Sequence, residues 1–156
     1  MLECDRARRN EPPENPTLVE AREPQRVMVA VARAAETIAP IVQRELERAY
    51  GPDWLERVNA ERVARNQSPA RGLHDHRFVL ALVGHDPALS QAFDDAQREA
   101  ARRLNGMANA ITHNEPLAAD DTSRAERMAQ RLLEGAPPRQ SPLCQGRVRQ
   151  LHLLDY

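Results

Sequence analysis

The apolar residues in the middle of this chain recur every three or four positions, the spacing that places side chains along one face of an α-helix. Five segments between residues 25 and 135 show this pattern. Only 3% of the 156 residues are aromatic, so the core must be built from aliphatic side chains. Cores of β-sandwiches and barrels are rich in β-branched and aromatic residues. The sequence therefore predicts an all-α bundle of about five helices.

The first helix is predicted over residues 25–39, where apolar side chains lie at helical spacing. Pro40 follows directly, and proline lacks the N–H group that a helix interior uses. We therefore expect the helix to kink or restart at Pro40, after which its apolar face continues to Gly51.

Aspartates mark the starts of the later helices, since their side chains accept hydrogen bonds from free N–H groups there. Asp53 and Asp75 are each predicted to cap a short helix. A longer helix is expected over about residues 94–112, with an apolar stripe that includes Leu104. The last helix follows Asp120 and should stop at Gly135.

Prolines divide the chain into three parts. Residues 1–24 are rich in proline, have little to bury, and are expected to form a flexible leader. Residues 25–135 form the predicted folded domain. Residues 136–156 are predicted to be a proline-rich linker followed by a short basic and apolar tail.

Several classes of protein are excluded by composition. No run of about 18 apolar residues is present, so no membrane span is expected. The N-terminus lacks the apolar region of a secretory signal. The two cysteines, Cys4 and Cys144, are too isolated for a disulfide framework, which favours a cytoplasmic protein. All 22 basic residues are arginine, but 23 acidic residues balance them, so no strongly basic domain results.

One face of the 94–112 helix carries a polar constellation. Arg102, Gly106, Asn109 and His113 fall together opposite the apolar stripe. An arginine, an asparagine and a histidine on one exposed face could bind phosphate or position a 2′-hydroxyl group. Gly106 costs helix stability, and a close-packed partner helix is one reason to keep it. The alternative is an ordinary solvated face.

Metal chemistry has less support. His-Asp occurs twice, at residues 74–75 and 85–86, but no further ligands at suitable spacing complete a metal site. Capping of helices by the two aspartates is the favoured interpretation. The sequence also lacks a glycine-rich phosphate loop. We expect neither a metal nor another cofactor.

Two separated motifs resemble the HEPN superfamily. Residues 39–46 (APIVQREL), followed by residues 50–54 (YGPDW), resemble the opening of a HEPN branch found in a nuclear-pore-associated RNA-surveillance endonuclease and in bacterial multidomain, defence-type proteins. Residues 109–116 (NAITHNEP), followed by residues 120–122, resemble the superfamily signature Arg-Asn-x-x-Ala-His-Asn. The resemblance covers about residues 26–135.

The resemblance implies a helical bundle that commonly dimerises, with the signature facing a cleft between protomers. In active members the signature histidine moves protons and the arginine binds the phosphate, without metal. His113 matches that histidine and Asn109 matches the polar residue after the arginine, but Ala108 occupies the arginine position. Weak or absent nuclease activity is therefore expected, since one such cationic donor contributes about 10²–10³ in rate.

Two functions remain open. The preferred one is a degenerate HEPN domain that dimerises or docks on a larger protein partner, in an RNA-processing or defence assembly. RNA contact or the interface would then use Arg102, Arg103, Gly106 and Asn114, together with His113. The alternative is an active metal-independent endoribonuclease, in which Arg102, Arg103 or Arg124 replaces the missing arginine.

Overall fold

The structure is a computed structural model that describes residues 16–134, with side chains from residue 23 onward. The described residues form five α-helices and one short 3-10 turn, with no strand among them, which confirms the all-α prediction. The helices are α1 (Pro16–Tyr50), α2 (Trp54–Ala64), α3 (His76–His85), α4 (Asp95–Thr112) and α5 (Asp121–Leu133), and the 3-10 turn is Pro87–Leu89. No described helix combines the length and apolarity needed to cross a membrane.

Helix α1 differs from its prediction at its first residue and at Pro40. It begins at Pro16 instead of residue 25, so the last part of the expected flexible leader is helical. It also runs on through Pro40 without restarting. Proline removes only its own N–H group, and exposed Pro40 leaves the unpaired carbonyl near water. Burial of Ile38 and Val42 on both sides of it holds the helix against the core.

Residues 1–15, the predicted stop at Gly135 and the predicted tail over residues 136–156 lie outside the described residues. The proposed division of the chain into leader, domain and tail therefore stays a prediction.

Helix α1 forms the centre of the bundle and packs on α3, α4 and α5. Its buried face consists of seven aliphatic side chains without solvent exposure, namely Val27, Val31, Ala34, Ala35, Ile38, Val42 and Leu46. Burying each of the larger ones stabilises the fold by about 1.5–3 kcal/mol. An aliphatic core was the expectation from the low aromatic content, and the structure has one.

The two predicted caps of short helices, Asp53 and Asp75, differ in outcome. Asp75 accepts hydrogen bonds from the backbone N–H groups of Arg77 and Phe78, at 3.1 and 3.2 Å, and thus caps α3. Asp53 stands before α2 but accepts no such bond. Its backbone angles, φ −91° and ψ 21°, are not the extended ones that direct a capping side chain toward the helix.

Helix α4 starts with a capping box. The Asp94 carboxylate accepts from the Gln97 backbone N–H at 2.8 Å, and the Gln97 side-chain oxygen accepts from the Asp94 N–H at 2.9 Å. The Gln97 amide also donates to the Leu132 and Glu134 carbonyl oxygens, which ties the start of α4 to the end of α5.

The buried face of α4 is broader than the predicted stripe. Leu104 is fully buried as expected, but Ala101 and Ala108 are fully buried as well, whereas Ile111 is only half-buried. The reason is that α4 packs against both α3 and α5, so side chains on two sides of the stripe are covered. This places residue 108 inside the bundle.

Candidate functional site

The polar constellation predicted on α4 forms one solvent-exposed face. Arg102, Gly106, Asn109 and His113 are all exposed, and they follow one another at helical spacing. The capping box at the start of α4 and the packing of Leu104 fix how this face is presented. The structure thus brings these four residues to one surface, as the sequence indicated.

Gly106 lies in open space on this surface. A Cβ atom at residue 106 would have no heavy atom of the described residues within 4 Å, so packing among residues 16–134 does not require glycine there. A shallow groove of about 340 Å³ runs beside it, between α4 and the start of α5. Three half-buried apolar side chains line the groove, Met107, Leu117 and Met128.

His113 and Asn114 form the end of α4. Asn114 has a positive φ of 55°, a conformation that asparagine tolerates better than most residues. Its N–H donates to the Ile111 carbonyl at 3.0 Å, and the Glu115 N–H donates to the Ala110 carbonyl at 2.9 Å, the pattern of a Schellman motif. Asn114 therefore terminates the helix, and exposed His113 is the residue between the last residue of α4 and this turn. The suggested contact of Asn114 with RNA stays a prediction.

Ala108, at the position of the signature arginine, is fully buried. The carbonyl of Ala108 accepts a hydrogen bond from the Thr112 hydroxyl at 2.9 Å. An arginine at residue 108 would start from the core side of α4, whereas Asn109 and His113 face solvent. The alanine that stands where the resemblance places the arginine thus supplies no cation to the exposed face of α4.

Arg102 and Arg103 are held by a shared acidic partner. Both guanidinium groups contact the Glu99 carboxylate, at 2.9 and 2.8 Å. The hydrogen bond from Arg103, followed by that from Arg102, lowers the pKa of Glu99 below its ordinary value of 4.5. Arg102 also donates to the Gly84 carbonyl at 2.7 Å, at the end of α3. The two arginines expected to bind RNA are thus both engaged by one carboxylate, and Arg102 is also engaged by a backbone carbonyl.

Arg124 also has acidic neighbours. Its guanidinium lies 3.7 Å from the carboxylate of Asp121 and 4.0 Å from that of Asp120. The three arginines proposed from the sequence as substitutes are thus all paired with carboxylates in the described part of the chain.

Arg77 is the cation that the sequence analysis missed. Its Nη1 atom lies 3.4 Å from the Asn109 side-chain oxygen and 3.5 Å from the Thr112 hydroxyl. Arg77 is exposed on the first turn of α3, next to the last turn of α4. A short connection between two helices favours antiparallel packing, and this signal could have placed Arg77 beside the signature.

The acidic residues after the signature have structural roles. The Asp121 carboxylate accepts from the Ala118 N–H at 2.7 Å. Thr122 is buried, and its hydroxyl donates a short hydrogen bond to the Glu23 carboxylate on α1. This part of the second motif therefore anchors α5 to α1.

The histidines near α3 are dispersed. His76 Nε2 lies 3.3 Å from the Glu36 carboxylate, while His74 and His85 are exposed. Over residues 16–134 no group of three or more histidine, cysteine, aspartate and glutamate residues is placed to hold a metal ion. Asp86 caps the 3-10 turn by accepting from the Ala88 N–H at 2.9 Å, which agrees with the capping interpretation.

Comparison with known proteins finds one family. The family described as Swt1-like HEPN matches the chain over residues 30–135, from α1 to the end of α5. No curated protein and no solved structure gives a match.

Proposed function

Because the chain belongs to the Swt1-like HEPN family, we propose that it is a degenerate HEPN domain acting as a dimerisation and protein-interaction module. Membership confirms the resemblance drawn from the two motifs, and it supports an RNA-related function. HEPN domains often dimerise and bind RNA. We place the module in the cytoplasm, as the isolated cysteines predict, and in a larger RNA-processing or defence assembly.

The observation that carries this proposal is the exposure of Gly106. Glycine in the middle of a helix costs about 1 kcal/mol relative to alanine. The space around its Cβ position is open, so nothing in the described part of the chain compensates this cost. A helix of a second protomer or of another protein, lying in the groove beside Gly106, would use the close approach that glycine allows.

Two further features support a non-catalytic role. Residue 108 is a buried alanine where active members carry arginine. Arg102, Arg103 and Arg124 each have a carboxylate partner, so moving any of them onto a phosphate would break an existing ion pair.

Size-exclusion chromatography with light scattering tests the proposal on the wild type, Gly106→Ala and Gly106→Gln. We expect a dimer for the wild type, a weakened dimer for Gly106→Ala, and a monomer for Gly106→Gln. Gly106→Ala should at the same time raise the stability of the monomer, since the new methyl group meets no neighbour.

Ala60→Gln is the matched control, because Ala60 is an exposed position on α2 away from the groove. It should leave the dimer intact. A dimer that persists in Gly106→Gln as it does in Ala60→Gln would exclude this face of α4 as the interface.

A second candidate function is metal-independent cleavage of RNA. The exposed His113 side chain favours it, because no other described side chain engages that imidazole. Incubation of the wild type and His113→Ala with mixed RNA in EDTA tests this candidate. Cleavage by the wild type alone would establish a ribonuclease, and no cleavage by a folded dimer would support the interaction module.

A further inference from the structure

Arg77 and the end of α4 come together only because α3 and α4 are antiparallel. At one end of the pair Gly84 packs against Arg102, and at the other Arg77 reaches Asn109 and Thr112. The Arg77 side chain therefore lies within the same protomer as the signature. No partner subunit is needed to bring it there.

Most N–H donors of the Arg77 guanidinium make no hydrogen bond within the described residues. It carries five N–H donors, and Nη1 alone makes hydrogen bonds in the described residues, both of them long. No carboxylate in residues 23–134 forms an ion pair with it. The nearest acid along the chain, Asp75, accepts instead from the backbone N–H groups of Arg77 and Phe78.

His113 follows Asn109, the residue that Arg77 contacts, by one helical turn. The His113 N–H donates to the Asn109 carbonyl at 3.0 Å, so the two residues are still one helical turn apart. Side chains four positions apart on a helix are neighbours, with Cβ atoms about 5–6 Å from each other. A group bound by Arg77 and Asn109 would therefore lie beside the imidazole.

We propose that Arg77, which lies outside the signature, supplies the cation that binds a phosphodiester group of single-stranded RNA beside Asn109 and His113. Arg77 supplies the fixed positive charge and charge-assisted hydrogen bonds, and the Asn109 amide supplies a neutral donor. Thr112 donates its own hydroxyl proton to the Ala108 carbonyl, so its oxygen accepts from Arg77 and positions it. The inference rests on the RNA-related function of the family and does not require dimerisation.

Fluorescence anisotropy of a labelled single-stranded RNA, titrated with the full chain, tests this site. We expect Arg77→Ala to weaken binding about tenfold, the loss that corresponds to one charge-assisted contact. The slope of log affinity against log salt should also fall by about 0.7, as for one phosphate contact on a single strand. Arg77→Lys should retain part of the affinity.

Arg33→Ala is the matched control. Arg33 is an exposed arginine on α1 for which the described residues provide no ion pair, and it lines a groove on another part of the surface. Its removal lowers the net charge equally, so a loss of affinity specific to Arg77→Ala reports the site.

Equal losses in Arg77→Ala and Arg33→Ala would overturn the inference, as would an unchanged salt slope in Arg77→Ala. Absence of RNA binding by the wild type at low salt would overturn it too. The dimerisation proposal is measured separately by light scattering on Gly106 variants, so the two can fail independently. Far-ultraviolet circular dichroism of each variant verifies that the fold is kept.

Discussion

Gly84 on α3 packs directly against Arg102 on α4. A Cβ atom at residue 84 would lie 2.7 Å from the Arg102 Cγ atom, and the Arg102 guanidinium donates to the Gly84 carbonyl at 2.7 Å. This contact fixes how closely α3 and α4 approach. It also explains why Arg102 serves the fold, since a cationic side chain at a helix C-terminus satisfies a free carbonyl.

Gly84→Ala should lower the free energy of unfolding by about 1–3 kcal/mol. The added methyl group must displace Arg102 near its backbone, an overpacking cost that exceeds the gain in helix propensity. Urea unfolding followed by circular dichroism measures the change. Gly106→Ala is the control and should raise the free energy of unfolding, because the same methyl group meets open space there. Equal stabilisation by both substitutions would contradict the packing described for Gly84.

Ala108→Arg, which rebuilds the signature in sequence, should not rebuild the site. Ala108 is fully buried, and an unpaired charge in the core costs about 3–5 kcal/mol. We expect a strongly destabilised protein without RNA cleavage in EDTA, measured by thermal unfolding and a gel assay. Ala60→Arg, at an exposed helical position, should be close to neutral. A stable Ala108→Arg variant that cleaves RNA would show that residue 108 can reach the surface.

Glu99→Gln should lower the free energy of unfolding at neutral pH. The difference from the wild type should disappear in acid. Arg103 and Arg102 lower the pKa of Glu99, so its ionised carboxylate stabilises the fold at pH values above the ordinary pKa of 4.5. That contribution is lost as the pH falls below 4.5 through the lowered pKa of the folded state. Urea unfolding of both proteins from pH 7 to pH 3.5 measures the difference. Glu56→Gln, at an exposed glutamate on α2 for which the described residues provide no ion pair, is the matched control and should leave the stability at pH 7 close to that of the wild type.

Tyr50→Phe should cost about 1–2 kcal/mol through one lost hydrogen bond. The Tyr50 hydroxyl donates to the Asp86 carboxylate at 2.8 Å and ties the end of α1 to the connection after α3. Burial, together with this bond, raises the pKa of Tyr50 above 10.0. The bond to Asp86 therefore contributes fully to the stability of the fold below pH 10. This contribution is lost as the pH rises through the raised pKa of Tyr50.

An ultraviolet titration of the tyrosines, combined with urea unfolding at pH 7, checks this prediction. The component of the absorbance change that is shifted to higher pH than that of an ordinary tyrosine should be lost in Tyr50→Phe and remain in Tyr156→Phe. Titration of Tyr50 at its ordinary pKa would mean that the bond to Asp86 does not persist in solution.

The helices and most of their starting points were determined by the sequence itself. Helical periodicity and capping depend on residues within a few positions of one another, so Asp75 and the start of α4 were predictable. The continuous α1 was not, because its passage through Pro40 depends on burial against other helices. The exposed face with Gly106, Asn109 and His113 followed from the same local periodicity.

Only the tertiary structure decided that Arg77 reaches the site. Arg102, Arg103 and Arg124 each have an acidic partner three or four positions away on the same helix, and such pairs follow from helical spacing alone. Arg77 lies 32 residues before Asn109 and reaches it only through the antiparallel packing of α3 on α4. Such contacts depend on how helices approach one another, and the close contact at Gly84 sets that approach.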